Sequence, residues 1–458
     1  MHALRTFARR AHAATAAAAL LALAACSDGL PTQPDPRTPP PGTLAAIPCA
    51  VDVRAGTVAC TGAPGAGALR ADRIFGGQRV NVTLTSSNVV YDSVAQVLTF
   101  DVTVQNLLVQ RMGSDGVTAG GVKVFFASGP TTTEGSGLVE VAEADGSGVF
   151  TASGQAYYAY PAALGPDSVS APRQWKFNVP KSATKFGFSV YVAAPLVPAI
   201  VFEMAPGGNR DIYRMGIDGK DLTRLTTSSA TDLTPTVSQG RVVFTSYRDG
   251  NAELYSVALK GGAETRLTNT TVNENSPALS PDGTRLAFVR PLGAGTRVYS
   301  ATATADSAQV VNPAATADVI ESTPSWASST YLAFGSTAGS SSDIYAITLG
   351  GASSLLAGGS SAEVEPAWSP DGTRLAFASN RTHDTELYLL TVSTGALTRL
   401  TTRTGSDNAP SWLLDGRIVY TCVQGSTLRL CILDPSNPAG ASLISTPYAA
   451  THAAAVRF

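Results

Sequence analysis

The sequence predicts an all-β chain: an antiparallel β-sandwich over residues 47–196, then a six-bladed β-propeller over residues 197–458 closed by its C-terminal strand. Three observations predict this. In the first half, apolar residues alternate with polar ones over short runs, which is the period of a half-buried strand. In the second half, one strand pattern recurs six times at a nearly constant interval, the mark of a repeat architecture. Composition agrees, since charged residues are only 14% and aromatics 7% of the chain, while 43 glycines and 28 prolines supply tight turns.

The formal net charge is −2. Removing the first 25 residues takes away Arg5, Arg9 and Arg10 and no acid, which leaves the remainder more acidic still. A nucleic-acid-binding surface needs a basic excess, so that class is excluded.

Residues 1–25 read as a signal peptide. Arg5, Arg9 and Arg10 form a charged start, and Ala13 to Ala25 is an apolar run too short to span a bilayer. The run ends in Leu23-Ala24-Ala25-Cys26, which resembles the lipobox of bacterial lipoproteins. That resemblance implies cleavage before Cys26, diacylglycerol on its thiol, and a membrane anchor. Ser27 follows in place of Asp, which by the same resemblance implies the outer membrane, with the protein facing the periplasm or the exterior. Residues 26–46 carry the lipidated cysteine and a tether whose proline-rich core, Pro31 to Gly42, forms neither helix nor sheet ladder. At roughly 3 Å per residue such a spacer reaches up to about 60 Å.

Assigning Cys26 to lipid leaves four cysteines in an oxidising compartment, in two local pairs. Cys422 and Cys431 lie in two apolar runs, Ile418–Val423 and Leu428–Ile432, around Gln424-Gly425-Ser426-Thr427, so a hairpin is expected to set them opposite each other. Cys49 and Cys60 flank Arg54-Ala55-Gly56 in the same way. Four free thiols or a metal site are the alternatives. No histidine stands near either pair and there is no Cys-x-x-Cys, so two disulfides are expected and zinc is not.

Between residues 47 and 196, Val80, Val82 and Leu84 share one strand face, and Leu98, Phe100, Val102 and Val104 another. Val122–Phe126, Trp175–Val179 and Phe186–Val190 repeat the theme between turns such as Gly113–Gly116 and Asp145–Gly148. Short alternating strands at this spacing predict an immunoglobulin-like sandwich. They give a class and no function.

From Val197 onward the chain repeats itself. Ala199–Phe202, Arg241–Phe244, Arg285–Phe288, Tyr331–Phe334, Arg374–Phe377 and Arg417–Tyr420 are one strand six times, their aromatics 42, 44, 46, 43 and 43 residues apart. Before five of these comes a strand with Pro235, Pro277, Pro324, Pro366 or Pro410 and an apolar residue two later: Val237, Leu279, Trp326, Trp368, Trp412. Two copies continue into Ser-Pro-Asp-Gly turns, at Ser280 and Ser369, where Pro fixes φ and Gly takes the positive-φ position. A third strand recurs as Asp211-Ile212-Tyr213, Glu253-Leu254-Tyr255, Asp343-Ile344-Tyr345 and Glu386-Leu387-Tyr388, often followed by Arg-Leu-Thr, at Arg224, Arg266 and Arg399. The first repeat lacks its proline strand, and His452–Phe458 supplies it from the C-terminus, with Ala454 in the register of Pro410. That exchange closes the ring and leaves no open edge.

These motifs resemble the repeats of TolB-type (WD40-like) propellers, which also stand in front of prolyl-oligopeptidase-like catalytic domains. The two Ser-Pro-Asp-Gly-Thr-Arg-Leu-Ala-Phe runs are close matches, and the resemblance covers roughly residues 197–458. It implies a periplasmic role in binding envelope proteins. The chain departs from TolB in its lipid anchor and in carrying a β-sandwich where TolB has an α/β domain.

Catalytic motifs are missing from the sequence. His2 and His12 belong to the leader, which leaves His383 and His452, and there is no Gly-x-Ser-x-Gly, His-Glu-x-x-His or phosphate-binding loop. One constellation stands out. Three residues before each proline come Asp232, Glu274, Glu321, Glu363 and Asp407, with Thr451 at the sixth place and His452 next to it. If the first strand lines the channel, these acids ring its mouth and suit a hard cation such as Ca²⁺, or a basic partner. The same recurrence follows without any ligand if each acid accepts hydrogen bonds inside its own blade. Arg285, Arg374 and Arg417 read as exposed strand-start residues, and the three tryptophans as inter-blade core. The sequence therefore predicts a binding scaffold for an envelope protein or peptide, not an enzyme and without a cofactor. Its rivals are a carbohydrate-active hydrolase or lyase with acids at the channel mouth, and a structural or adhesive surface protein.

Overall fold

The computed structural model describes residues 46–61, 68–69, 74–75, 81–316, 318–339 and 341–456. The signal peptide, Cys26, the tether, Val80 and Arg457–Phe458 lie outside the described residues. Every described element is a strand, and all named strand pairs are antiparallel.

The first part holds two main sheets. One runs in the order Thr57–Cys60, Ile47–Asp52, Ala183–Ala193, Val122–Gly135, Gln155–Tyr160, Gly146–Gly148, and the other in the order Val82–Asp92, Val97–Asn106, Arg173–Asn178, Glu140–Ala142. Val97–Asn106 is buried at every second residue, so Leu98, Phe100, Val102 and Val104 all face inward. Both sheets contribute to one apolar core around Trp175, which is fully buried, stacks on Tyr158 at 5.0 Å and donates its Nε1–H to Tyr160 Oη at 3.2 Å. That bond satisfies the one polar atom such a ring brings inside.

Six four-stranded sheets follow, here called blades 1 to 6 in the order of their second strands. Those second strands are Ala199–Met204, Arg241–Ser246, Arg285–Leu292, Tyr331–Ser336, Arg374–Thr382 and Ile418–Gln424. Their repeated aromatics, Phe202, Phe244, Phe288, Phe334, Phe377 and Tyr420, are completely buried. Blades 2 to 6 begin with the inner strands Asp232–Ser238, Asn275–Leu279, Glu321–Trp326, Glu363–Trp368 and Asp407–Trp412. Blade 1 takes its inner strand from the C-terminus, where Ala450–Ala455 pairs with Ala199–Met204. The register is one residue off the expected one. Met204 pairs with Ala450 as Cys422 pairs with Asp407, so Ala450, not Thr451, occupies the sixth acid place.

The tryptophans pack between blades, and Trp326 and Trp412 also hydrogen-bond across them. Trp326 Nε1 donates to Ala278 O at 2.9 Å and Trp412 Nε1 to Ala367 O at 3.0 Å. Thr236 Oγ1, Ser325 Oγ and Ser411 Oγ accept amides of the next inner strand from Leu279, Trp368 and Ala455. The two parts of the chain also touch directly. Arg111 pairs with Asp221 at 2.7 Å, and Lys260 Nζ and Arg214 Nη1 donate to the carbonyls of Leu107 and Val109.

Two disulfides are present, Cys49–Cys60 and Cys422–Cys431. Cys49 and Cys60 are directly cross-strand. The second pair departs from expectation: Gln424 pairs with Thr427, so Cys422 faces Arg429 and Cys431 faces Tyr420, and the bridge runs diagonally. Its Cα atoms are 5.9 Å apart against 4.0 Å in the first, both within the range that permits a bridge or close to it.

Candidate functional site

Each inner strand carries a bulge, and in blades 2 to 6 it falls at the repeated proline, which has no N–H to give to the ladder. The register slips between Leu233 and Thr236, Asn275 and Ala278, Ser322 and Ser325, Val364 and Ala367, and Asn408 and Ser411. The residue before each proline then takes a left-handed conformation: Thr234 (φ 48°), Ser276 (51°), Thr323 (41°), Glu365 (55°) and Ala409 (49°). His452 does the same (49°) before Ala453, although no proline follows it. Six such residues border a central cavity of about 290 Å³ lined by all six inner strands. Of the lining residues only Glu365 and His452 are ionisable.

His452 Nδ1 lies 3.2 Å from Glu203 Oε1. Glu203 sits one residue after the buried aromatic of blade 1 and is 1% exposed. It accepts the Thr234 amide of blade 2 (2.7 Å), Thr451 Oγ1 (3.1 Å) and Arg210 Nη1 (3.2 Å). Burial would push the Glu203 carboxyl up, but His452, the Thr234 amide and Arg210 outweigh it and hold the group below the usual range. Burial likewise works against imidazolium at His452, yet the bond to Glu203, with the charges of Glu203 and Glu365, holds its pKa above the ordinary value. Glu365 repeats the reach of Glu203 four blades along, its Oε2 accepting the Ala409 amide of blade 6 at 2.7 Å.

The expected ring of acids is not at the cavity. Asp232, Glu274, Glu321, Glu363 and Asp407 are at most 2% exposed and none lines it. Each is turned into its blade, where donors are available. Asp232, Glu274 and Glu363 pair with Arg248 (3.1 Å), Arg290 (2.6 Å) and Arg381 (2.8 Å). Those guanidinium groups lie over Tyr255, Tyr299 and Tyr388 at 4.3, 4.7 and 4.7 Å from the ring centres. Glu321 accepts Val298 N (2.9 Å) and Asn312 Nδ2 (3.1 Å). Asp407 has no cation within ion-pair distance among the described residues, and burial, with Glu386 nearby, pushes it up to about 6. Burial also raises Asp232, Glu274 and Glu321. Among the described residues no group of three or more His, Cys, Asp or Glu is placed to hold a metal ion, Ca²⁺ included.

The other repeated motifs act inside the blades as well. Arg224, Arg266 and Arg399 pair with the third-strand acids Asp211 (2.7 Å), Glu253 (3.2 Å) and Glu386 (2.6 Å). The threonine of each Arg-Leu-Thr, at Thr226, Thr268 and Thr401, accepts the amide of Ile212, Leu254 or Leu387 at 2.8–3.0 Å. In the Ser-Pro-Asp-Gly turns, Ser280 and Ser369 donate to Asp282 and Asp371 and accept the amides of Arg285 and Arg374. Arg374 is not merely at the surface, since it lies over the Trp412 ring at 4.8 Å. His383 is an exposed residue at φ 82° in a hairpin loop.

Motif reasoning overlooked Glu203, Arg210 and Glu365. Their signal is departure from the repeat. Where blade 1 has Glu203, the others have Thr245, Val289, Gly335, Ala378 and Thr421, and where blade 5 has Glu365, the others have Thr, Ser, Thr, Ala and His.

The family model of the TolB beta propeller domain matches residues 194–357 and 317–428, together just over half of the chain. No curated protein matches. Among solved structures, TolB from Acinetobacter baumannii is similar at 18% identity and a TM-score of 0.51, over 57% of this chain and 66% of that one, just under two thirds of its length. A putative TolB from Agrobacterium tumefaciens is similar at 16% identity and 0.45, over 56% and 90%. Hydrazine synthase from Kuenenia stuttgartiensis is similar at 12% identity and 0.49, over 57% and 47%. At 18% identity the likeness to the Acinetobacter protein concerns the fold alone.

Proposed function

The chain belongs to the family of TolB beta propeller domains, and from that premise we propose that it is a cell-envelope lipoprotein, anchored through Cys26, whose propeller binds a protein or peptide at its channel. The observation that carries this reading is the cavity of about 290 Å³ at which all six inner strands converge, with the Glu203–His452 pair and Glu365 at its edge. A concave site on a rigid scaffold with a few placed polar groups is the usual form of a binding site. The two disulfides support an oxidising compartment. The two sheets around Trp175 support an immunoglobulin-like sandwich, and the pairing of Ala450–Ala455 with Ala199–Met204 supports a ring closed by the C-terminal strand. The proposed role is binding, since the cavity's lining brings together only two ionisable groups, Glu365 and His452.

Site-specific photo-crosslinking in native envelopes tests the reading. A crosslinker at Ala409, beside the cavity, is expected to capture a discrete envelope protein, and one at Val149 in the first part is not. Capture from Val149 alone overturns the channel reading. Fractionation of a Cys26→Ser variant tests the anchor, which is wrong if that variant stays with the outer membrane.

A further inference from the structure

Glu365 is the carboxylate at the cavity that has no counter-charge. One of its oxygens accepts the Ala409 amide, and no Lys, Arg or His nitrogen lies within ion-pair distance among the described residues. Glu203, by contrast, holds both His452 and Arg210. Between Glu365 of blade 5 and His452 of blade 1 stands only Ala409 of blade 6, the smallest of the six left-handed residues, so the edge of the channel is notched there. The acid's field reaches across the notch, for it raises the pKa of His452. Thr323 Oγ1, on the neighbouring blade, is a buried hydroxyl without a partner and borders the same cavity.

We infer that the notch over Ala409, between Glu365 and His452, is a subsite for a single ammonium or guanidinium group presented by the bound partner. The inference rests on the channel-binding reading and names the chemistry of its ligand. Glu365 supplies the charge, neutral His452 supplies an acceptor nitrogen, and Thr323 a hydroxyl. A lysine or arginine side chain or a chain's N-terminal amine carries the required group, and a cavity of about 290 Å³ admits one of these. The groups facing His452 are Glu203 and Arg210 of blade 1, Glu365 of blade 5, and Thr421 of blade 6, which accepts the His452 amide at 3.0 Å. Protonated His452 would place a second cation beside the ligand, so binding strengthens as pH rises through the raised pKa of the imidazole.

The test uses the full chain and the ring proton signal of His452, assigned with a His452→Gln variant. The probes are Nα-acetyl-lysine methylamide, which carries a side-chain ammonium, glycylglycine amide, which carries an α-ammonium, and Nα-acetyl-norleucine methylamide, which has neither. A saturable shift is expected with one or both cationic probes and not with norleucine. It weakens about tenfold in Glu365→Gln, which keeps an oxygen for the Ala409 amide, and it weakens again as His452 becomes protonated. Whichever cationic probe binds identifies the source of the group. No saturable shift with either cation, an equal response to norleucine, or an unchanged response in Glu365→Gln overturns the subsite. If the cations fail while Ala409 still crosslinks a partner, the channel reading stands and the subsite alone is lost.

Discussion

Replacing Asp407 by asparagine tests the account of the buried acids at the place where it makes a signed prediction. Asp407 starts the inner strand of blade 6, is 2% exposed, and its Oδ2 has no hydrogen-bond partner. Burial, with Glu386 nearby, raises its pKa from 3.8 to about 6, against the opposing effects of Thr401 and Arg403. A carboxyl whose folded pKa exceeds its unfolded one contributes most below the unfolded value and loses that contribution as pH rises through the folded one. The fold therefore weakens between about pH 4 and pH 7 on account of this group. A shift from 3.8 to about 6 corresponds to roughly 3 kcal/mol as an upper bound, and solvent screening at the end of the blade lowers this to about 2 kcal/mol. Asn has the same shape, keeps an oxygen for Thr401 and carries no charge. Asp407→Asn is thus expected to raise the propeller's melting temperature by about 5 °C at pH 8 and to leave it unchanged near pH 4. Calorimetric scans of both proteins across that range measure the difference. A variant less stable at pH 8, or one stabilised equally at both ends, refutes the assignment of Asp407 as a buried acid that lacks a counter-charge.

Three further substitutions probe the repeated motifs. Thr401→Val removes the acceptor of the buried Leu387 amide and is expected to cost about 1–3 kcal/mol by urea unfolding. Arg381→Met keeps bulk over Tyr388 but leaves Glu363 with Ser379 alone. It should cost about 3 kcal/mol, more than Glu363→Gln, because freed Arg381 reaches water and an abandoned Glu363 cannot. The double variant Cys422→Ser, Cys431→Ser opens a loop of nine-residue separation and should lose about 2–3 kcal/mol from chain entropy, read as a lower denaturation midpoint.

Much of the architecture is legible because a repeated residue announces a repeated environment. Six aromatics near 43-residue spacing are six buried second strands, and the alternation of Leu98, Phe100, Val102 and Val104 is a strand with one face in the core. Cys49 and Cys60 are cross-strand neighbours, as their flanking runs suggest. Register is harder to read. A one-residue slip moved the sixth acid place from Thr451 to Ala450, because alanines at 453, 454 and 455 offer no side chain to fix the count. The orientation of the acids was beyond reach for a related reason. A bulge two residues later decides what faces the channel, and bulges follow from ladder geometry rather than from side-chain period. Asp232 and Thr234 share strand parity in the sequence, yet Asp232 turns to Arg248 while Thr234 borders the cavity.

The same comparison shows where a site should be sought in a repeat protein. Residues that recur from blade to blade solve a problem that those blades share. In blades 2 to 6 the inner-strand acid takes an arginine, an amide or a hydroxyl and the proline sits at the bulge, and in blades 1, 2 and 5 the Arg-Leu-Thr joins the outer strand to the third-strand acid. A ligand meets the channel only once, so its contacts need not repeat and are expected at positions where one blade breaks the pattern. Glu203, Glu365 and His452 are such breaks: Glu365 and His452 line the cavity that the six blades share, and buried Glu203 holds His452 from behind. Ala409 belongs with them, as the small residue between Glu365 and His452, its amide bonded to Glu365. Recurrence here marks what the fold needs, and departure from it marks what the channel is for.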